Sequence, residues 1–253
     1  MPAIIYYADN TFVNNTFVNN TNTNINININ MFSQLILGVF TFCSCIFINH
    51  MFFKKESFTT SYFMLHFLVN FIITVLCLPY FLTLFYDPNG INETYDNEYM
   101  DIYWYIKYTY PILIGLHTYH LIDYKNINTS EIIHHIITYI FYYISYKLNH
   151  PFYYVHLICM SGVPGGITYY MLFLEKINAI KSITEKYISM NINFWIRCPG
   201  CIIYSTLLYD RMIYMYDSVC PIHLFLIAFS LINGIYFTTT IVESYYTKLY
   251  KIK

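Results

Sequence analysis

Residues 131–149 read EIIHHIITYIFYYISYKLN. After Glu131 the run is almost wholly apolar or aromatic, yet it opens on two adjacent imidazoles, His134 and His135. Hydrocarbon gives an unpaired imidazole no hydrogen bonds, so such residues face a bundle interior or a cavity and mark function by default. The stretch therefore predicts a membrane helix with polar work at its entrance. The polar run KNINTSE at 125–131 is the loop that feeds it.

Outward from this helix, apolar runs long enough to cross a bilayer, about 20 residues each, occur at 31–53, 61–86, 102–122, 131–149, 151–174, 191–210 and 219–246. That predicts an all-α fold, a polytopic transmembrane helical bundle of about seven spans, or six if the fifth run does not cross. The fifth run is interrupted by GVPGG at 162–166. Such an interruption predicts a broken or re-entrant element, tolerated only where protein or a cavity covers it.

Composition agrees. The chain has 253 residues, 57% hydrophobic and 11% charged, with a mean hydropathy of +0.43. Soluble domains carry about 25% charged residues. A net charge of -1 gives no electrostatic footprint for nucleic acid. The 30 tyrosines and 21 phenylalanines suit surfaces that are apolar at one end and wet at the other.

Four regions follow. Residues 1–30 form an Asn-rich leader with the repeat TFVNN at 11–15 and 16–20, expected to be disordered. Residues 31–54 form the first transmembrane helix, 55–247 the main membrane domain and 248–253 a basic tail. The leader has no cationic start before an apolar core, so it is no ordinary signal peptide. Lys54, Lys55, Lys125, Lys176, Lys181, Lys186, Lys248, Lys251 and Lys253 fall on one side of a seven-span chain. The positive-inside rule then puts the C-terminus in the cytoplasm and the N-terminus in the lumen, in the endoplasmic reticulum or another internal membrane. Asn14, Asn19 and Asn92 each open a glycosylation sequon on the luminal side.

Several polar groups lie within the spans. His117, His120 and Asp123 are spaced i, i+3, i+6, within one sector of a helix face. With His134, His135, His156, Ser161 and Arg197 they are expected to converge on a polar pocket near the cytoplasmic leaflet. The architectural alternative is a set of interhelical hydrogen bonds that orient the bundle. No residue is assigned as catalytic, and His134 and His135 are the candidates for proton transfer. Histidines at i, i+3 can ligate transition metals. Membrane di-iron enzymes, however, use many boxed histidines. Of the nine here, only His134-His135 resembles part of a box, so no metal and no cofactor are expected. Cys198-Pro199-Gly200-Cys201 has redox spacing, but it lies in an apolar run and reads as a kink lined by inert thiols.

From 115 to 200 the chain resembles the TLC (TRAM–LAG1–CLN8) domain. Gly115, Tyr119 and Asp123 look like that family's segment ahead of its histidine pair, which His134-His135 resembles. Thr138, Ser145, Tyr146 and Asn149 are similar in register to the ceramide-synthase version, and Phe194-Trp195-Ile196-Arg197 resembles the segment of the penultimate helix. The ceramide-synthase carboxylates are absent: the same register holds Ser161, Gly162 and Gly165. The Ser161-x-x-Pro164 stretch looks like the TLC proteins that are not ceramide synthases. The resemblance implies a protein that binds or handles a membrane lipid or acyl chain and affects membrane lipid composition, without an assigned reaction. The alternative it implies is an N-acyltransferase with an altered site, His134 and His135 acting as base and acid. A seven-helix receptor is a third expectation, weakened by the lack of an asparagine-proline-x-x-tyrosine motif in the last helix.

Overall fold

The computed structural model describes residues 21–52, 58–86, 104–123, 129–148, 152–216 and 221–251. These form seven helical rods in chain order, with no strand among the described residues. The rods are α1 (Thr21–Phe52), α2 (Phe58–Tyr86), α3 (Thr109–Asp123, entered through a 3-10 turn at Trp104–Tyr108) and α4 (Thr129–Leu148). They continue with α5 (Tyr153–Lys176), α6 (182–216) and α7 (Pro221–Tyr250). Helix α1 begins at Thr21, so 21–30 is helical where the sequence predicts a disordered leader. The stretch 1–20 lies outside the described residues, as do Asn14, Asn19 and Asn92.

Four stretches are long and apolar enough to cross a membrane: Ser33–Met51, Thr59–Thr83, Tyr153–Lys176 and Pro221–Tyr250. Helix α4 contains a shorter apolar stretch, Ile132–Ser145. Leu35, Phe40, Phe47, Phe71, Trp195, Ile202 and Ile232 all point outward and are at least half exposed or nearly so. Faces of that kind would aggregate in water and are at home in lipid. The chain is an integral membrane protein.

Packing orders six of the helices in a continuous row. Neighbours run α4, α3, α2, α5, α6, α7, and α1 packs against α3 on the outside. Glycines set the close approaches, as expected where helices meet without a hydrophobic driving force between them. A Cβ on Gly115 would stand 2.7 Å from the carbonyl oxygen of Gly38 in α1. A Cβ on Gly162 would stand 2.7 Å from Thr74 Oγ1, and one on Gly165 2.9 Å from Asn70 Nδ2, both in α2. Gly200 meets Cys159 across α5 and α6, and Gly234 meets Cys201 across α6 and α7. The CPGC stretch is thus a packing surface: Cys198 and Cys201 are both free thiols within α6.

The fifth run is not broken. Helix α5 is continuous, and it passes Pro164 by slipping into a π turn at Leu157–Gly162. Helix α6 repeats the device, with a π turn at Asn193–Arg197 just before Pro199. Proline has no N–H and would leave the carbonyl four residues earlier without its helical donor. For Pro164 that carbonyl belongs to Met160. Arg197 Nε donates to it at 3.1 Å, so one π turn is tied to the other by the group that proline orphans.

Candidate functional site

Helices α3 and α4 face each other through histidines. His117 and His120 are one turn apart on α3, and His135 reaches them from α4. His117 Nδ1 and His135 Nδ1 are 3.0 Å apart. In a hydrogen bond between them, one carries the proton and the other offers the lone pair. A second bond, Thr118 Oγ1 to Tyr139 Oη at 3.0 Å, joins the same two helices. His134 and His135 diverge, with ring centroids 5.7 Å apart. His135 turns to α3, whereas His134 sits edge-on to Phe237 of α7 at 5.8 Å.

Helix α2 adds a histidine that sequence reasoning missed. The His66 ring stacks on His120 at 4.2 Å and lies 4.3 Å from the ring of Tyr169 in α5. Tyr62 stacks on His120 at 4.0 Å. His66 Nδ1 is 3.1 Å from the carbonyl oxygen of Tyr62. A carbonyl only accepts, so Nδ1 carries the proton and Nε2 keeps its lone pair. The signal was present in the sequence: His66 and Asn70 are polar residues at i, i+4 within an otherwise apolar span.

These side chains line the inner end of a cavity of about 940 Å³. Its other wall is apolar, built from Ile133 and Ile137 of α4 and Phe225, Phe229, Ile232 and Tyr236 of α7. Ile133, Ile232 and Tyr236 are also exposed on the outer surface, so the cavity reaches the lipid-facing side between α4 and α7. Among the described residues these helices meet through side chains, as in the 5.0 Å contact of Phe141 with Phe229.

A second chamber of about 370 Å³ adjoins the first and shares His66, His117, His134, Tyr169, Asn233 and Phe237 with it. It is lined from α2, α3, α4, α5, α6 and α7, with hydrogen-bonded polar side chains set among apolar ones. Ser161 donates to Asn70 Oδ1 at 2.8 Å. Asn193 donates to Thr168 Oγ1 at 3.3 Å, and its own carbonyl accepts from Thr238 at 3.2 Å. Arg197 stands in this wall, its guanidinium 5.3 Å above the ring of Phe237. Among the described residues no carboxylate pairs with it; the ion pair is Lys186 with Glu185, at 3.7 Å. Glu185, N-terminal to the span expected at 191–210, is buried at the chamber's edge, and burial pushes its carboxyl upward.

The geometry brings His117, His120, His134, His135, Ser161 and Arg197 onto adjoining walls. The Asp123 side chain lies outside the described residues. His156, expected among them, is elsewhere. It is packed between Phe141 and Tyr204 at 4.6 and 4.7 Å, and its Nδ1 is 3.1 Å from Ser230 Oγ. Its place on α5 turns it to the aromatic core, away from both chambers. No protein-family model matches the chain, and no curated protein or solved structure matches it either.

Proposed function

We propose that this protein takes a membrane lipid or acyl chain from the bilayer into the cavity between α4 and α7 and holds its polar end at the histidines and Arg197. The observation that carries the reading is the cavity itself: about 940 Å³, apolar where it reaches the lipid-facing surface and polar where it ends. Ligand sites are of this size and carry few, converging polar groups on mostly apolar walls. Arg197 supports a headgroup that is anionic or rich in acceptors, since its Nε is engaged by Met160 while the guanidinium lines the chamber. The TLC resemblance leads to the same lipid-handling role and to the endoplasmic reticulum or another internal membrane. With seven spans the N-terminus is luminal and the C-terminus cytoplasmic.

Acyl transfer is the second reading. The 3.0 Å approach of His117 Nδ1 to His135 Nδ1 favours it, because one imidazole can take a proton while the other is held in register. Against a ceramide-synthase arrangement stand Gly162 and Gly165, where the family has carboxylates. Both glycines press on α2, within 2.7 Å of Thr74 and 2.9 Å of Asn70 for a Cβ, so no carboxylate fits there.

The test is mass spectrometry of lipid retained by the detergent-purified protein, wild type beside His134→Ala/His135→Ala. A discrete acyl species, lost in the double variant, is expected. Retention of bulk lipid alone by both proteins would sink the lipid-binding reading. A sphingoid base with acyl-CoA, assayed on the same preparations, addresses acyl transfer; no product at any chain length excludes it.

A further inference from the structure

We propose that His117, His120 and His135 form a binding site for a divalent transition metal of the zinc type, with one coordination position open to the cavity. The ligand atoms of the three imidazoles all lie within 4.8 Å of one another. Ligands of a tetrahedral zinc ion, with metal–nitrogen bonds of about 2.0–2.1 Å, stand roughly 3.3 Å apart. The 3.0 Å between His117 Nδ1 and His135 Nδ1 is close to that spacing. His120, one turn along α3, supplies the third corner.

The donor set selects the metal. Neutral imidazoles suit zinc, copper, iron and nickel, whereas calcium and magnesium ask for oxygen. Three protein ligands rather than four leave a vacant position, the pattern of a metal that meets substrate or water rather than one that only holds a fold. The cavity supplies the room, with His134 and Asn233 on its wall beside the cluster. A lipid ester, amide or thioester carbonyl is the oxygen that such a position accepts. The surroundings also hold the ligands in place. His66 is locked by the Tyr62 carbonyl at 3.1 Å, and both His66 and Tyr62 stack on His120. Outer partners that fix imidazole orientation are a regular part of histidine metal sites.

The proposal stands on three side chains and not on what fills the cavity, so it and the lipid reading fail separately. The full chain is purified in detergent, without a polyhistidine tag, and its metal content is measured by mass spectrometry before and after incubation with zinc. The expected result is about one zinc ion per chain and its loss in His120→Gln and His135→Gln. His156→Gln, away from the cluster, should keep its metal. Cobalt added to stripped wild-type protein should give the intense visible absorption bands of a four-coordinate site with three nitrogens and one oxygen. Because that measurement uses only wild-type protein, it stands even where a variant fails to fold. Zinc and cobalt both absent from folded wild-type protein would overturn the proposal. So would metal retained at full level in folded His135→Gln.

Discussion

Substituting Gly200 by alanine tests the helix packing that builds the site, and the structure sets the size of the effect. A Cβ at this position would lie 2.2 Å from Cys159 Cβ and 2.8 Å from its Sγ. Carbon atoms in good contact stand about 3.5–4.0 Å apart, so the overlap is well over an ångström. Cys159 Cβ cannot swing away, because it is fixed to the backbone of α5. Helix α6 must retreat or both helices must bend, a cost of about 1–3 kcal/mol for overpacking. Cys159→Gly removes the opposing atoms and has its own cost, about 1 kcal/mol for glycine within a helix. Combined with it, Gly200→Ala should cost almost nothing, giving a coupling of about 1–3 kcal/mol between the two sites. Gly38→Ala is the control: its Cβ meets the Pro111 carbonyl at 3.6 Å, ordinary contact, and should be neutral or mildly stabilising. Denaturant unfolding of the detergent-solubilised variants, followed by circular dichroism, reads all four. Simple addition of the two single losses in the double variant would refute the geometry of the α5–α6 contact.

The other expectations are smaller in scope. Ala228→Trp, on the α7 wall of the outer cavity, should lower the amount of retained lipid without changing the elution profile; undiminished lipid-to-protein ratios count against entry between α4 and α7. Tyr139→Phe breaks the bond to Thr118 and should cost about 0.5–1.5 kcal/mol, read by thermal unfolding, and no loss would remove that bond from the α3–α4 contact. Glu185 is held above the usual carboxylate range by burial, so the folded state keeps its proton to higher pH than the unfolded chain. Its contribution is then fully present below the unfolded carboxylate range and lost as pH rises through the folded one. Glu185→Gln should flatten that decline, and an unchanged pH profile of unfolding would contradict it. Arg197→Met leaves the Met160 carbonyl without its donor, at a cost of about 1–3 kcal/mol. Adding Pro164→Ala returns a backbone N–H and should recover part of the loss.

Much of the fold is legible because hydropathy reports directly on burial in lipid. The run expected at 61–86 is the helix Phe58–Tyr86, and that expected at 131–149 is Thr129–Leu148. The fifth run misleads because glycine and proline at 162–166 look like a break. The register slip that rescues the helix depends on a donor, Arg197, more than thirty residues away. A local reading cannot see that partner, although a proline followed by glycine in both α5 (Pro164-Gly165) and α6 (Pro199-Gly200) marks where each helix needs help. For the site, spacing on one helix is readable and convergence between helices is not. His117 and His120 could be paired from their i, i+3 separation. Whether α2 or α5 would bring the next histidine is decided by packing, and the structure brings His66 from α2 and turns His156 on α5 into the aromatic core.

Under the proposed lateral entry, the gap between α4 and α7 also determines how occupancy of the cavity has to be measured. A ligand that enters sideways never crosses water, so its concentration is a mole fraction in the surrounding lipid or micelle. Added detergent dilutes it at constant protein and constant total ligand. Titrations should therefore be plotted against the ligand-to-amphiphile ratio, on which data from micelles of different loading should collapse to one curve. An aqueous route would instead make them collapse on the bulk concentration. Lateral entry, as proposed, would thereby impose a surface-dilution law on ligand binding.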